Sequence, residues 1–435
     1  MLQDYYFKEF GKNLLNIGIC GLHIMPNAFK AGCIASTWRI VDFLTALYYL
    51  FKNSPALRDD FLKKSEGALP KNVPASESAI NFLPSIKTYI VSVDMGEHNQ
   101  PNCKSYMPVL KLRHMSDNLL SVKLKVFHSI AKVLLPFLTK YQTDKPMLFF
   151  LPEDLKKIVN LLLQCFVLSK NLNTATTLQK LLCLDINNPK IHKPIENIDL
   201  GFSAEKESQS LHVSKKKKLL TCQIFDLRMD CKKFLIKATI KLLEKSPLQH
   251  SIVRNLSCLD PRNMTDKRKC LNKMNHILNS MIEAKHVDEN ACDEILMEFN
   301  DYLDNVALKQ SDFSEFFPEN SRVDEFFYET MNTSKYRNLW KGVEIWLLLS
   351  LGQATVETGF SINKKVEVEN MKELSYVSQR LVCDCINSRG GSIHNIKITN
   401  MMCTIVSNAR QKYMKYLEDK KLLSSQNKRK KPNFC

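Results

Sequence analysis

The chain has 435 residues, enough for two or three domains and a sizeable core, with 44% hydrophobic residues and a net charge of +17. Only 12 glycines occur, under half the usual share of ~7%; with no Gly-rich phosphate loop of either nucleotide-binding type, a nucleotide cofactor is not expected. The positive excess points to polyanionic partners, nucleic acid foremost, and no apolar run reaches the ~20 residues of a membrane span.

In chain order, residues 14–19 read as a short buried strand, and a helix is expected over 38–52, stopped by Asn53, Ser54 and Pro55. Residues 63–78 read as a Pro-punctuated linker and 91–107 as irregular. Over 123–139, Leu124, Phe127, Ile130, Ala131, Leu134, Leu135 and Leu138 recur at three-and-four spacing, a helical stripe. Leu151 and Pro152, followed by Glu153 and Asp154, open the next helix, expected to run to about 170. Residues 187–218 are polar and read as a solvated loop. Further helices are expected near 222–245, 265–284 with Thr265 as cap, 288–304 with Asp288 as cap, 323–332, 336–350, 371–387 and 399–422. A small remnant sheet is expected near the N-terminus and over 393–398.

The 14 cysteines are irregularly spaced, with no C-x-x-C pair, and the N-terminal residues carry acids too early for a secretory leader. Reduced thiols in nucleus or cytoplasm follow, and a four-ligand zinc site does not. Two basic runs, Lys215, Lys216, Lys217, Lys218 and Lys428, Arg429, Lys430, Lys431, are candidate nuclear-import or phosphate-contacting patches.

From Leu347 through Gly352, Glu357, Phe360 and Ser361 to Asn363, an apolar helix runs into a small-residue turn, then Glu, then Phe-Ser. With its flanks, from Trp340 to Cys385, this segment resembles the C-terminal signature of hAT-superfamily DNA transposases. Cys20 and His23, followed by Asn27, Ala28 and Phe29, resemble the family's C-x-x-H segment. Residues 136–146, and 245–248 with 254–261, resemble the helical insertion domain of one hAT-like lineage.

The resemblance implies a ribonuclease-H-like α/β core interrupted by a helical insertion. It also implies three carboxylates holding two Mg²⁺, and a C-terminal region that mediates dimerisation. The corresponding division is 1–62 core segment, 63–122 linker, 123–335 insertion domain, 336–422 dimerisation and core-completing region, and 423–435 disordered basic tail. The whole is expected to be mainly α.

The departures from the family decide the expected activity. Ahead of Cys20 the chain has only Asp4, set among Tyr, Phe and Lys, so both catalytic Asp are missing and Glu357 alone cannot assemble a two-metal site. The Arg-Trp dipeptide that family members carry before a segment like 72–79 is absent, and Thr358 stands where Arg usually follows the Glu. Cys20 and His23 lack the further ligands that zinc needs and the third partner that a nucleophile needs, which leaves them a packing role. The expectation is a transposase-derived, N-terminally truncated protein without catalytic activity or cofactor. It acts through self-association by Trp340, Trp346, Leu347, Phe360, Leu374 and Leu381 and through non-specific DNA contact. The rivals are a fragment of an active metal-dependent transposase whose upstream part supplies two Asp, and a transposon remnant with no function.

Overall fold

The structure is a computed structural model and describes residues 2–18, 21–52, 75–97, 117–214, 217–349, 354–368, 371–389, 391 and 393–429. It is mainly helical, and the chain divides into two compact units, Met1–Ala354 and Thr355–Cys435. No helix among the described residues is long and apolar enough to cross a membrane.

The first unit begins with α1 (Leu2–Phe10), α2 (Gly21–Ala35) and α3 (Ile40–Lys52). Between α1 and α2 the expected strand does not form. Leu14, Leu15 and Ile17 are half-buried and Asn16 and Gly18 exposed, and none of them is strand-paired. The backbone just ahead of them is already engaged elsewhere: Asn13 donates its N–H to the Ala284 carbonyl (2.9 Å) and accepts from His286 Nε2 (2.8 Å). A short apolar run makes a strand only beside another unpaired edge, and this one lies on a helix turn instead.

A helix that the sequence reading passed over, α4 (Ala75–Asp94), occupies much of the expected linker. Ala79, Leu83, Ile86, Ile90 and Val93 are buried at three-and-four spacing, the signature of a core-facing stripe. Pro84 lies inside the helix, and the carbonyl of that residue accepts from Thr88 Oγ1 (3.2 Å). Residues 53–74 and 98–116 lie outside the described residues.

Helix α5 (Leu120–Tyr141) buries Leu124, Phe127, Ile130, Leu134, Phe137 and Tyr141, while Leu135 faces solvent. Helix α6 (Leu151–Phe166) follows with Pro152 in its first turn, then the short α7 (Ser169–Thr174) and α8 (Leu178–Leu182). Tyr141 donates to Asp154 Oδ2 (2.9 Å) and Lys140 pairs with the same carboxylate (2.8 Å), tying the end of α5 to the start of α6.

Residues 187–214, most of the expected solvated loop, are folded instead. Two 3-10 turns and α9 (Phe202–Ser214) form there, and His192, Ile198, Leu200, Ala204 and Ser208 are buried. The segment is held by its backbone: Lys193 donates to the Phe166 carbonyl (2.8 Å), Leu168 to that of Ile191 (2.9 Å) and Asp199 to that of Cys165 (3.0 Å). Val167 and His192 form a single antiparallel bridge. Few, scattered apolar residues suffice to bury a segment whose polar groups find partners.

The long α10 (Lys217–Lys245) packs along α2 and against α6. Gly32 of α2 lies against the Phe234 ring, where an added Cβ would come within 2.8 Å. Phe29 meets Phe127 and Phe234 edge-on, with ring centroids 4.8 and 5.3 Å apart. After α11 (Ser251–Asn255), the next helix, α12 (Lys267–Glu283), is capped by Asp266, whose side chain accepts from Lys269 N (3.2 Å), one residue beyond the expected Thr265. Asp288 caps α13 (Glu289–Tyr302) as expected, accepting from Ala291 N (2.8 Å).

Helices α14 (Val323–Met331) and α15 (Arg337–Leu347) close this unit on α13. The expected boundary at 335/336 is therefore displaced. Leu339, Val343 and Trp346 are fully buried, Leu339 N donates to Glu298 Oε2 (2.7 Å), and Gly342 leaves room for the Trp346 ring. A helix whose apolar stripe is consumed by its own core belongs to that core.

The second unit contains α16 (Ala354–Val366), α17 (Glu373–Ser388), α18 (Asn400–Ser407) and α19 (Ala409–Arg429). Arg380 joins the first two: its guanidinium donates to the Gly359 carbonyl (2.9 Å) and Asn363 Oδ1 (2.8 Å), and it pairs with Asp384 (2.9 Å). The expected sheet residues near 393–398 form a 3-10 turn at Ile393–Asn395 followed by irregular backbone. The expected disordered tail is helical as far as Arg429. No β-strand ladder exists among the described residues, so the α/β part of the expected fold has no counterpart there.

Candidate nucleic-acid interface

The residues singled out from sequence do not converge on one place. Cys20, Lys215, Lys216, Lys430 and Lys431 lie outside the described residues, as do the side chains of Glu357, Lys217, Lys218, Lys428 and Arg429. Their backbones place Glu357 in the first turn of α16, Lys217 and Lys218 at the start of α10, and Lys428 and Arg429 at the end of α19. His23 is exposed on α2. Among the described residues, no three His, Cys, Asp or Glu side chains gather in metal-holding geometry.

The dimerisation candidates separate into two groups. Trp346 is fully buried in the first unit; Trp340 is half-buried with its ring edge-on to Tyr328 (5.8 Å), and Leu347 is half-buried. Trp346 therefore builds the core, a correction to its expected interface role, while Trp340 and Leu347 pack at the margin of that core with part of their surface open. Phe360, Leu374 and Leu381 are exposed in the second unit, 64%, 64% and 63% respectively. Neither α17 nor α18 buries any residue. Leu374, Val377 and Leu381 fall three and four apart, so one face of α17 is an uncovered apolar stripe.

A cationic site that was not read from sequence lies in the first unit. A cleft of about 710 Å³ opens in the first unit where the first turns of α6, α8 and α12 meet the turns around α11. Lys156 comes from α6, Arg254 from α11, Arg262 from the following turn, and Lys269, Lys273 and His276 from α12. The last three are four and three apart, so α12 presents them on one side.

Partners decide how much of this charge is available. Arg262 is neutralised by Asp260, which is buried and accepts from Nε and a terminal nitrogen of the guanidinium (2.9 and 2.7 Å). Its guanidinium also lies over the Phe150 ring at 5.3 Å, which fixes the turn. Lys269 pairs with Asp266 (2.6 Å), and the contacts to Lys269 hold that carboxyl below its usual range. Arg254 instead donates to the carbonyls of Leu248 (2.6 Å) and Gln249 (2.9 Å), and Lys273 donates to Ser257 Oγ (2.6 Å). Neutral acceptors orient a cation without cancelling its charge. No carboxylate among the described residues pairs with Arg254, Lys273 or Lys156. Thr177 and Asn263 add neutral polar groups to the walls.

This arrangement suits multivalent anions: Arg254 and Lys273 are held by neutral acceptors, Lys156 stands beside them, and neutral polar groups line the walls together with the carboxylates of Glu153 and Asp266. The cysteine there, Cys270, is pushed up to about 12 by burial, which keeps it a thiol. Sequence reasoning missed the cleft because its cations come from four elements and form no run; the one local signal is the Lys269, Lys273, His276 spacing. No family model, curated protein or solved structure matches the chain.

Proposed function

We propose that the chain is a transposase-derived protein that acts by contact rather than catalysis: it binds nucleic acid through salt-dependent phosphate contacts and self-associates. The observation that carries the reading is the cleft around Lys156, Arg254 and Lys273, where three cations lack carboxylate partners among the described residues. The net charge of +17 acts in the same direction over the whole chain. The resemblance of residues 340–385 to hAT transposases supplies the ancestry, and the two basic runs are consistent with nuclear residence.

Self-association has its own support. The exposed Phe360, Leu374 and Leu381 fall within the segment that the resemblance assigns to dimerisation, and a second copy of the same α17 stripe would cover them by isologous packing.

The test of binding is a titration of labelled DNA by the whole chain over a series of salt concentrations. Each phosphate contact contributes ~0.7–0.9 to the slope of log affinity against log salt. The double substitution Lys156→Gln with Lys273→Gln is expected to weaken binding about tenfold at low salt and to lower that slope by about 1.5. An affinity indifferent to salt, or a double variant that binds as the wild type does, would overturn the reading.

A further inference from the structure

Phe202 exposes 85% of its surface, the largest fraction of any large apolar side chain recorded among the described residues. It is the first residue of α9, and the backbone beneath it is fixed. Gly201, at φ +85°, donates its N–H to Asp199 Oδ1 (2.8 Å), and its carbonyl accepts from Ala204 and Glu205 (both 3.0 Å). An added Cβ at Gly201 would come within 2.4 Å of Ser129 Oγ, so only glycine lets this turn lie so close to α5. Glu205 then grips Arg228 through both carboxylate oxygens (2.9 and 2.6 Å), and Glu207 accepts from Lys125 (2.7 Å) and Ser121 (3.1 Å). The ring is thus held in water by a rigid base.

Beside the ring lies a second cleft, of about 640 Å³, between α4, α5 and α9. Lys132 and Lys206 line it and have no carboxylate partner among the described residues. Asn81, Ser129 and Ser203 contribute amide and hydroxyl groups, and Ser76 Oγ hydrogen-bonds His128 Nδ1 (3.0 Å) at its wall. The acids at this cleft are Glu77 and Glu207, the latter already satisfied by Lys125.

An aromatic face open to water, flanked by cations and small polar groups, matches the chemistry of an unpaired nucleotide: the base stacks and the phosphates meet the ammonium groups. Paired bases in a duplex have their faces covered by neighbours and cannot use the ring. We propose that this site holds an unpaired nucleotide of a single-stranded nucleic acid, its base on the Phe202 ring and its flanking phosphates on Lys132 and Lys206. The inference rests on the nucleic-acid reading above and narrows it to single strands.

The experiment titrates the full chain with a labelled oligo-dT strand and, separately, with a duplex of the same length, using the wild type and the Phe202→Ala, Phe202→Leu and Phe202→Trp variants. Phe202→Ala is expected to weaken strand binding about tenfold, within the range for loss of one stacked base, and to leave duplex binding unchanged. Phe202→Trp should restore strand binding, and Phe202→Leu should not, because it keeps apolar area but loses the π-face. If Phe202→Leu binds the strand as the wild type does, or if Phe202→Ala weakens strand and duplex alike, stacking is refuted. If both probes bind and Phe202→Ala changes neither, this inference fails while the general reading stands. If the wild type binds neither probe at low salt, both fall together.

Discussion

The two units spend their apolar residues in opposite ways. In the first, amphipathic helices close on one another, and Phe166, Phe234, Phe299, Tyr302 and Trp346 are wholly buried. In the second, α17 and α18 have comparable amphipathic patterns yet bury nothing, and an arginine clamp holds α17 to α16. The same periodicity therefore marks a core in one unit and an uncovered face in the other. What separates them is the number of helices available to cover each stripe, which no local pattern records.

The sharpest way to break this contrast is at Trp346, which sits in the segment expected to dimerise but is enclosed by the first unit. Trp346→Ala should cost ~3–5 kcal/mol in urea unfolding, the usual consequence of emptying a large aromatic site. An unchanged unfolding curve would move the ring from core to interface and erase the distinction. A smaller effect is expected at Asp288. Replacing it with Ala removes the acceptor for Ala291 N and should lower stability by ~1 kcal/mol; no measurable loss would mean that the end of α13 is not held as described.

The mildest effect is in pH. Burial holds His128, His192 and His250 below the ordinary imidazole value of 6.5, and His192 Nε2 donates to the Ile186 carbonyl (2.8 Å). The unfolded chain then binds more protons than the folded one between the depressed values and 6.5. Stability from these groups is complete above pH 6.5 and lost as pH falls through the folded values. Thermal unfolding should stay level from pH 8 to 7 and drop by a few degrees on acidification, less so in His192→Gln. An equal pH response in that variant would remove His192 from the account.

Much of the helical order was legible. The stripes of α5, α6 and α12 to α15, and the Asp288 cap, follow from spacing and capping chemistry. Helix α4 was equally regular, with apolar residues at 79, 83, 86, 90 and 93, but the prolines at 70, 74 and 84 masked it. Helix α9 was missed because its stripe is thin, with Ala204 and Ser208 as its buried residues. The residues 14–18 failed as a strand because a strand is defined by its neighbour, and here the neighbour is a turn. Neither cleft could be read locally. Lys156 and Lys273 stand on helices far apart in sequence, and the exposure of Phe202 depends on the contact of Gly201 with α5. The basic runs, conspicuous in sequence, say nothing of how such scattered cations gather.

The contrast between a unit that closes its core and one that leaves an apolar face exposed, and the self-association proposed for that face, are tested most directly by light scattering of the whole chain, alone and with Leu374→Asp and Leu381→Asp combined. Both side chains are exposed, so the double variant should fold as the wild type does. The account predicts twice the chain mass for the wild type at micromolar concentration and a single chain mass for the variant. A wild type that remains monomeric at high micromolar concentration, or a variant that keeps the doubled mass, would contradict it.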